Sequence, residues 1–426
     1  MSWKDDKGLG PWKFEKATAD NRYNEGDRIT DSKNPVWSMD KTGIPISTRH
    51  DPCGYWYGKE PPPTQPIVRY TLYSCGRYGS SQLGRAVGDN NIFLPMDDTS
   101  HFYKVDLGNS NGLYIKHDRS LWGLGQNASG HLGTGDKVTL TSLTQIGTDK
   151  DWESVSLSGQ HALALKSDGS IWSCGANANG ELGQGDNVER LVLTQIGAEY
   201  DWKYVFANTY ASFAIKNSGQ LYSWGGNVNG DLGQGNNTEY KVPTKVEVNG
   251  TGFDSLSGSD YSVVGLKSGK IWSCGYNVCG QLCLDNTTST NVFVSRSANE
   301  TWDKVHCGGS IAGWSLLVKN GTLWSVGNNG SGQLGFGDLI SKTIVTQVDS
   351  ATDWWQVGCD GSYTYSYALK TNGKLYSCGS NQYGQLGLGS QLAQGPKVFT
   401  EVGGTWGTVI CGDSHVNIGK AVYYWE

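Results

Sequence analysis

Short apolar bursts of five or six residues recur along this chain, separated by turn-forming residues. The stretch LKSDGSIWSCGANANGELGQGDN, from Leu165 to Asn187, is representative. One apolar burst closes on Lys166, an Asp-Gly turn follows, and a second burst starts at Ile171. Glycines then alternate with small polar residues. The pattern predicts a hairpin running into a Gly-rich loop. Such glycines either cradle a phosphate or only shape the backbone.

Repetition decides between the two. LYSCGRYGSSQLG begins at Leu72, LWGLGQNASGHLGTGD at Leu121 and IWSCGANANGELGQGD at Ile171. LYSWGGNVNGDLGQGN begins at Leu221 and IWSCGYNVCGQLCLDN at Ile271. LWSVGNNGSGQLGFGD begins at Leu323 and LYSCGSNQYGQLGLGS at Leu375. The seven copies lie 49, 50, 50, 50, 52 and 52 residues apart. An aromatic followed three residues later by Val or Leu keeps the same period: Phe102/Val105, Trp152/Val155, Trp202/Val205, Phe253/Leu256, Trp302/Val305, Trp354/Val357 and Trp406/Val409. A lysine closing an apolar strand does so too: Lys116, Lys166, Lys216, Lys267, Lys319, Lys370 and Lys420.

Seven units of several strands each predict an all-β, seven-bladed β-propeller. A four-stranded sheet cannot bury both faces alone, so each must pack on the next. The first copy, Leu72–Cys75, reads as a final strand lacking its first three. The last unit stops at Glu426 without another such strand. The N-terminal strand is therefore expected to complete the C-terminal blade, with Tyr70–Cys75 beside Ser414–Lys420. That closure would remove an exposed edge.

Composition fits this fold. The chain has 426 residues with 60 Gly, 17 Trp and 22 Tyr, so turn formers and aromatic strand formers are dense. A net charge of −6 without basic runs argues against nucleic acid as a partner. The N-terminus has no apolar core of a secretory signal, and no stretch is long enough to insert in a membrane.

The motif Leu-(Trp/Tyr)-Ser-(Cys/Trp)-Gly-x-Asn-x-x-Gly-x-Leu-Gly resembles the regulator-of-chromosome-condensation repeats, from about Ile67 to Lys420. The resemblance implies a seven-bladed propeller. It says little of function, because one propeller fold hosts many roles.

The recurring residues read as structural. No helix follows the Gly-rich loops, so Gly180, Gly230 and their counterparts are expected to make tight turns, not a phosphate site. Asn127, Asn177, Asn227, Asn277, Asn328 and Asn381 are expected to bond the backbone of those turns. Trp152, Trp202, Trp302, Trp354 and Trp406 are expected to fill the gaps between blades. Cys75, Cys174, Cys274 and Cys378 share one repeat position, and Cys307, Cys359 and Cys411 another; both sets read as small buried hydrophobes. Without a CxxC there is no zinc signature. The lysines read as solvated neighbours of hairpins. His161 and His415 start equivalent strands and read as structural, bonded to backbone. Asp136, Asp186 and Asp338 read as turn caps and not calcium ligands. No catalytic residue, cofactor or metal is predicted.

Residues 1–66 form a different segment, before the propeller domain at 67–426. Eight of the eleven prolines lie there, and ten basic residues balance ten acidic ones. Large aliphatics are few, so the segment reads as an extended arm rather than a core. Trp3, Trp12, Trp37, Tyr55, Trp56 and Tyr57 are its candidate anchors on other protein chains of a larger assembly.

Together these features suggest a non-enzymatic interaction or structural protein. The turn-rich, low-charge repeats look most like bacterial and bacteriophage versions of the family. They suggest a bacteriophage virion component on a tail, baseplate or capsid, with host adhesion, or otherwise a cytoplasmic protein. One alternative is a guanine-nucleotide-exchange or chromatin-type regulator, like the family's namesake. Another is a lectin-like propeller that binds cell-surface glycan.

Overall fold

A computed structural model describes residues 67–424 except 78, 85–90, 97–100, 249–251, 297–299, 360–363, 393 and 413–414, together with a short pair, Ser38–Met39 with Pro45–Ile46. The six arm anchors named above lie outside the described residues.

The described chain is a seven-bladed β-propeller with no helix among its described elements. The second blade shows the plan: Trp152–Leu157 innermost, then His161–Lys166, Ile171–Gly175 and Arg190–Gln195. These strands pair in sequence order as an antiparallel meander. The LYSCG-type segment is therefore the third strand of its blade, not the final one. The outermost strand comes after the Gly-rich loop.

The ring closes with two strands from each end of the array. The last blade takes Thr408–Cys411 and His415–Tyr424 from the C-terminal side, then Ile67–Gly76 and Leu94–Pro95 from the N-terminal side. Thr71 pairs with Lys420 and Cys75 with Val416. Tyr70 also pairs with Phe102 of the first blade, which joins the two sheets at the seam.

Apolar packing follows the blades. Seven clusters of buried side chains occupy the seven blade–blade junctions. Between the first and second blades, Leu113, Ile115 and Leu121 meet Trp152, Val155 and Leu157. Burying each such side chain is worth about 1.5–3 kcal/mol, so the junctions hold the blades together.

The Gly-rich loops bridge blades. Gly180 has φ +80°, and a Cβ there would stand 2.9 Å from Lys241 Cα on the next blade's outer strand. Gly230, at φ +75°, meets Asn291 in the same way: an added Cβ would stand 2.4 Å from Asn291 Cβ. Gly185 N–H donates to Lys241 O at 2.8 Å. Left-handed backbone and close approach both demand glycine here. The fourth blade departs: Cys283 (φ 59°) and Asp285 (φ 55°) stand where glycine stands elsewhere.

Candidate functional site

In six of the seven blades a side chain of the inner strand reaches to the next blade. Asp106 Oδ2 accepts from Leu157 N–H at 2.7 Å. Ser156 Oγ accepts from Ala207 N–H and Ser257 Oγ from Cys307 N–H, both at 3.0 Å. His306 Nδ1 accepts from Cys359 N–H at 3.2 Å. Two residues earlier in the strand, other side chains reach the neighbouring carbonyls: Tyr204 OH to Leu256 O at 2.9 Å and Gln356 Nε2 to Val409 O at 3.0 Å. These bonds occupy backbone groups that the innermost edge of a sheet would otherwise leave open.

The two faces of the ring differ. The turn after each inner strand and the Gly-rich loop share one face, since Gly226 N–H donates to Tyr210 O and Gln126 N–H to Ser110 O. The second-to-third strand turns lie on the opposite face, where the seven lysines sit. They are not simply solvated. Lys166 and Lys267 are buried, four others are half-buried and only Lys420 is exposed. Each ammonium stands over conserved-position aromatics of its own blade. Lys166 Nζ is 4.8 Å from the ring centres of both Trp152 and Trp172. Lys216, Lys267, Lys319, Lys370 and Lys420 repeat the arrangement, and Lys116 lies 3.5 Å from Trp122. Acidic residues of the entering loop add ion pairs: Asp149 and Asp151 to Lys166, Glu199 and Asp201 to Lys216, Asp353 to Lys370. The sequence gives the positions of these lysines but not their burial. The signal was there in the aromatics that recur with the same period.

The turn residues make the bonds their positions need. Asn177 Oδ1 accepts from Leu182 N–H at 2.9 Å, and its Nδ2 donates to Asp186 O and Val188 O. Asn227 does the same with Leu232, Asn236 and Thr238. In the fifth blade this role belongs to Asn329, not Asn328: Asn329 Oδ1 takes Leu334 N–H, and Nδ2 donates to Asp338 O. Asn328 sits one position earlier and accepts from Gly330 N–H. Asp136, Asp186 and Asp338 accept N–H groups two residues on.

Trp152, Trp202, Trp302, Trp354 and Trp406 are all buried in the blade junctions. The nine described cysteines are free thiols. Burial pushes Cys174 and Cys283 up to about 12, so these thiols stay protonated and unreactive near neutral pH. Among the described residues no group of three or more His, Cys, Asp and Glu is placed to hold a metal.

The buried histidines are absorbed by the fold. His161 lies between the hydroxyls of Ser158 and Ser212, at 3.0 and 2.9 Å, rather than against backbone carbonyls. Burial holds His161 and His415 down at about 3, and His131 and His306 at about 4. His161, His131 and His306 are hydrogen-bonded, whereas both ring nitrogens of His415, expected to bond backbone, have no partner among the described residues. Rings that stay neutral through the physiological range are poor general bases.

A recess of about 140 Å³ opens at the axis, on the face of the inner-strand turns. Asp106, Asn109, Asn208, Thr209, Ser259, Asp260 and His306 are among its walls, and among the described residues no lysine or arginine is. It is too small for a drug-sized ligand, whose pockets run roughly 300–1,000 Å³. Sequence reasoning missed it, because its residues come from several blades and share no motif.

The comparisons agree with this architecture. Two models of the regulator of chromosome condensation (RCC1) repeat match, one at residues 218–264 and 372–417, the other at 152–181 and 356–385. The protein RCC2 homolog of Xenopus laevis is 39% identical over 84 residues, 20% of this chain and 16% of that protein. The ultraviolet-B receptor UVR8 of Arabidopsis thaliana is 31% identical over 104 residues, 24% of this chain and 22% of that one. The matched segments thus span less than a quarter of either relative. Among solved structures, Prp20p of Saccharomyces cerevisiae superposes with a TM-score of 0.71 at 16% identity, covering 84% of this chain and 92% of that one. That likeness concerns the fold. Prp20p has been described together with its binding properties to Gsp1p and histones.

Proposed function

We propose, from the premise that this chain is an RCC1-repeat propeller, that it is a non-enzymatic recognition platform of the regulator type. Its ligands are other proteins, and they dock on the face of the inner-strand turns. The relatives support this reading over the virion and glycan-adhesion roles that the sequence suggested.

One observation carries the proposal: two of the ring's histidines bond across blades, while the turn face leaves polar groups and a recess open. His161 and His306 each bond a neighbouring blade, which suits a rigid scaffold rather than acid–base chemistry. On the turn face, by contrast, Tyr210, Tyr261 and Tyr276 are partly exposed and Val228 is 81% exposed. Partly exposed aromatics on a rigid ring are the usual anchors of protein interfaces.

Site-specific photo-crosslinking tests this. A photoreactive residue is placed at Gln160, Val228 or Ile311 on the turn face, or at Asp168 or Asn217 on the lysine face. The full chain is then irradiated in its native cells. A defined protein adduct confined to the turn-face positions is the expected result. Adducts only from the lysine face, or none from either, contradict the proposal.

A further inference from the structure

Six blades close their second and third strands in a tight turn just past the repeated lysine, as where Gly169 N–H donates to Lys166 O at 3.0 Å. The seventh has no such turn, because its second strand is C-terminal and its third N-terminal. There the two strands run on. Their antiparallel register continues unbroken for ten pairs, from Gly76 with His415, through Thr71 with Lys420, to Ile67 with Tyr424. Four of these pairs, Tyr70 with Ala421 to Ile67 with Tyr424, lie past the lysine. At about 3.3 Å per residue they form a ribbon that reaches roughly 13 Å beyond Lys420.

Among the described residues this ribbon has almost no lateral partner. The inner strand pairs only with residues 416–419. The outer strand pairs only with Tyr73 and Ser74, and Phe102 meets only Tyr70. Two strands alone are marginal in water. The ribbon reads IVRY against AVYY, a nearly unbroken apolar run of the kind that covered strands carry.

Elsewhere the protein blunts its strand edges. Inner edges are occupied by side chains of the neighbouring blade, as where Ser156 Oγ takes Ala207 N–H. The pairing of third and outer strands breaks register between Ser173 and Gly175, and at the same place in four other blades. No such device guards residues 421–424, which have no charge, no proline and no bulge. The ribbon's other edge is guarded: Pro66 precedes it, Arg69 carries charge and Phe102 occupies Tyr70.

We propose that residues 421–424 pair edge to edge with the same residues of a second copy of this chain. Antiparallel pairing about a two-fold axis needs one self-complementary edge, and this strand supplies it. The product is a four-stranded sheet with two strands from each copy. The open edge faces the ring axis, so the two rings lie on opposite sides of the two-fold and only their seventh blades face each other. Both turn faces stay open. Pairing of four residues per copy buries far less than the roughly 1,200 Å² of a stable interface, so the dimer is weak. The inference goes beyond the docking of partners on the turn face and does not depend on it.

Sedimentation equilibrium of the full chain, from about 1 to 300 µM, tests the pairing. A reversible monomer–dimer equilibrium with a Kd of roughly 10–100 µM is expected, little changed by about 0.5 M salt because the strand is uncharged. Val422→Lys and Tyr423→Lys each set like charges across the two-fold, and at least one should weaken the dimer roughly tenfold or more. Val228→Lys, on the turn face, should leave it unchanged. Thermal unfolding checks that each variant is folded. Where a lysine variant does not fold, a photoreactive residue at Tyr423 decides. In a mixture of isotopically heavy and light chains, its adduct should join one chain of each kind within residues 421–424. The proposal is overturned by a monomer over the whole range, by a dimer that neither lysine weakens, by a dimer that salt abolishes, or by adducts confined within one chain.

Discussion

His161 Nε2 lies 2.9 Å from Ser212 Oγ, so one hydrogen bond crosses from the second blade to the third inside a dry junction. Its other nitrogen lies 3.0 Å from Ser158 Oγ. Burial depresses the ring to about 3. The unfolded chain takes up that proton near pH 6.5, the folded chain only near 3. Between those values the unfolded state binds more protons, so stability is full above about pH 6.5 and falls as pH drops. Replacing His161 with Gln should flatten the acid limb of urea-unfolding stability by about 1.4 kcal/mol per pH unit. An unchanged slope would mean that the ring titrates in the folded protein.

Asp231 has the opposite sign. Its pKa is raised to about 7, mainly by burial, and Oδ2 has no partner among the described residues. The unfolded carboxyl ionises near 4, so this position favours folding below that pH and loses the benefit as pH rises to 7. At the same place in the preceding blade the longer Glu181 receives Asn179 N–H at 2.8 Å, and Gln281 receives Cys279 N–H at 3.0 Å. Asp231→Gln should therefore remove the charge and reach the turn. At pH 8 the variant is expected to be about 1–3 kcal/mol more stable than the parent, with a smaller difference at pH 5. Denaturation at both pH values measures it.

Lys166 gains from two tryptophans more than from its acids. Its side chain is 9% exposed, whereas Asp149 and Asp151 are 54% and 43% exposed and their charges are well screened. Lys166→Met keeps the stem and drops the charge. It should cost about 1–2 kcal/mol, and 0.5 M salt should recover little of it. A loss that salt abolishes would assign the effect to the ion pairs instead.

Asp285 is strained and useful at once. Its φ of 55° disfavours a side chain, yet its carboxylate holds Arg296 through two nitrogens at 2.8 and 2.7 Å. It also receives Val345 N–H of the next blade at 3.0 Å. Asp285→Gly relieves strain of about 1 kcal/mol but breaks three charge-assisted bonds. A net destabilisation of about 1–2 kcal/mol is expected; a gain would show that strain outweighs the clamp.

The ring was legible because its causes repeat. The aromatic at Trp152 and the lysine at Lys166 recur once per blade and the glycine at Gly180 in six blades of seven, and a fixed period in three kinds of residue leaves few folds open. Closure was legible because the Leu72 copy lacks its partners and the Lys420 unit lacks its outer strands. Its second N-terminal strand, Leu94–Pro95, escaped notice because two residues carry no pattern. Asn328 was mistaken for Asn329 because two asparagines stand together, and only the hydrogen bond to Leu334 separates them. The recess was not legible, since Asp106, Asn208 and Asp260 lie far apart in sequence and occupy positions that differ from blade to blade. Burial of Lys166 depends on loops folding over it, which composition does not record.

The platform works only if the ring is one closed body, and native-state hydrogen exchange across the seam tests that most directly. Amides of residues 71–76 and 416–419 should share the opening free energy of Ser262–Lys267 in the fourth blade, all exchanging through global unfolding. Exchange at 71–76 that is orders of magnitude faster than in the fourth blade would contradict the closed ring.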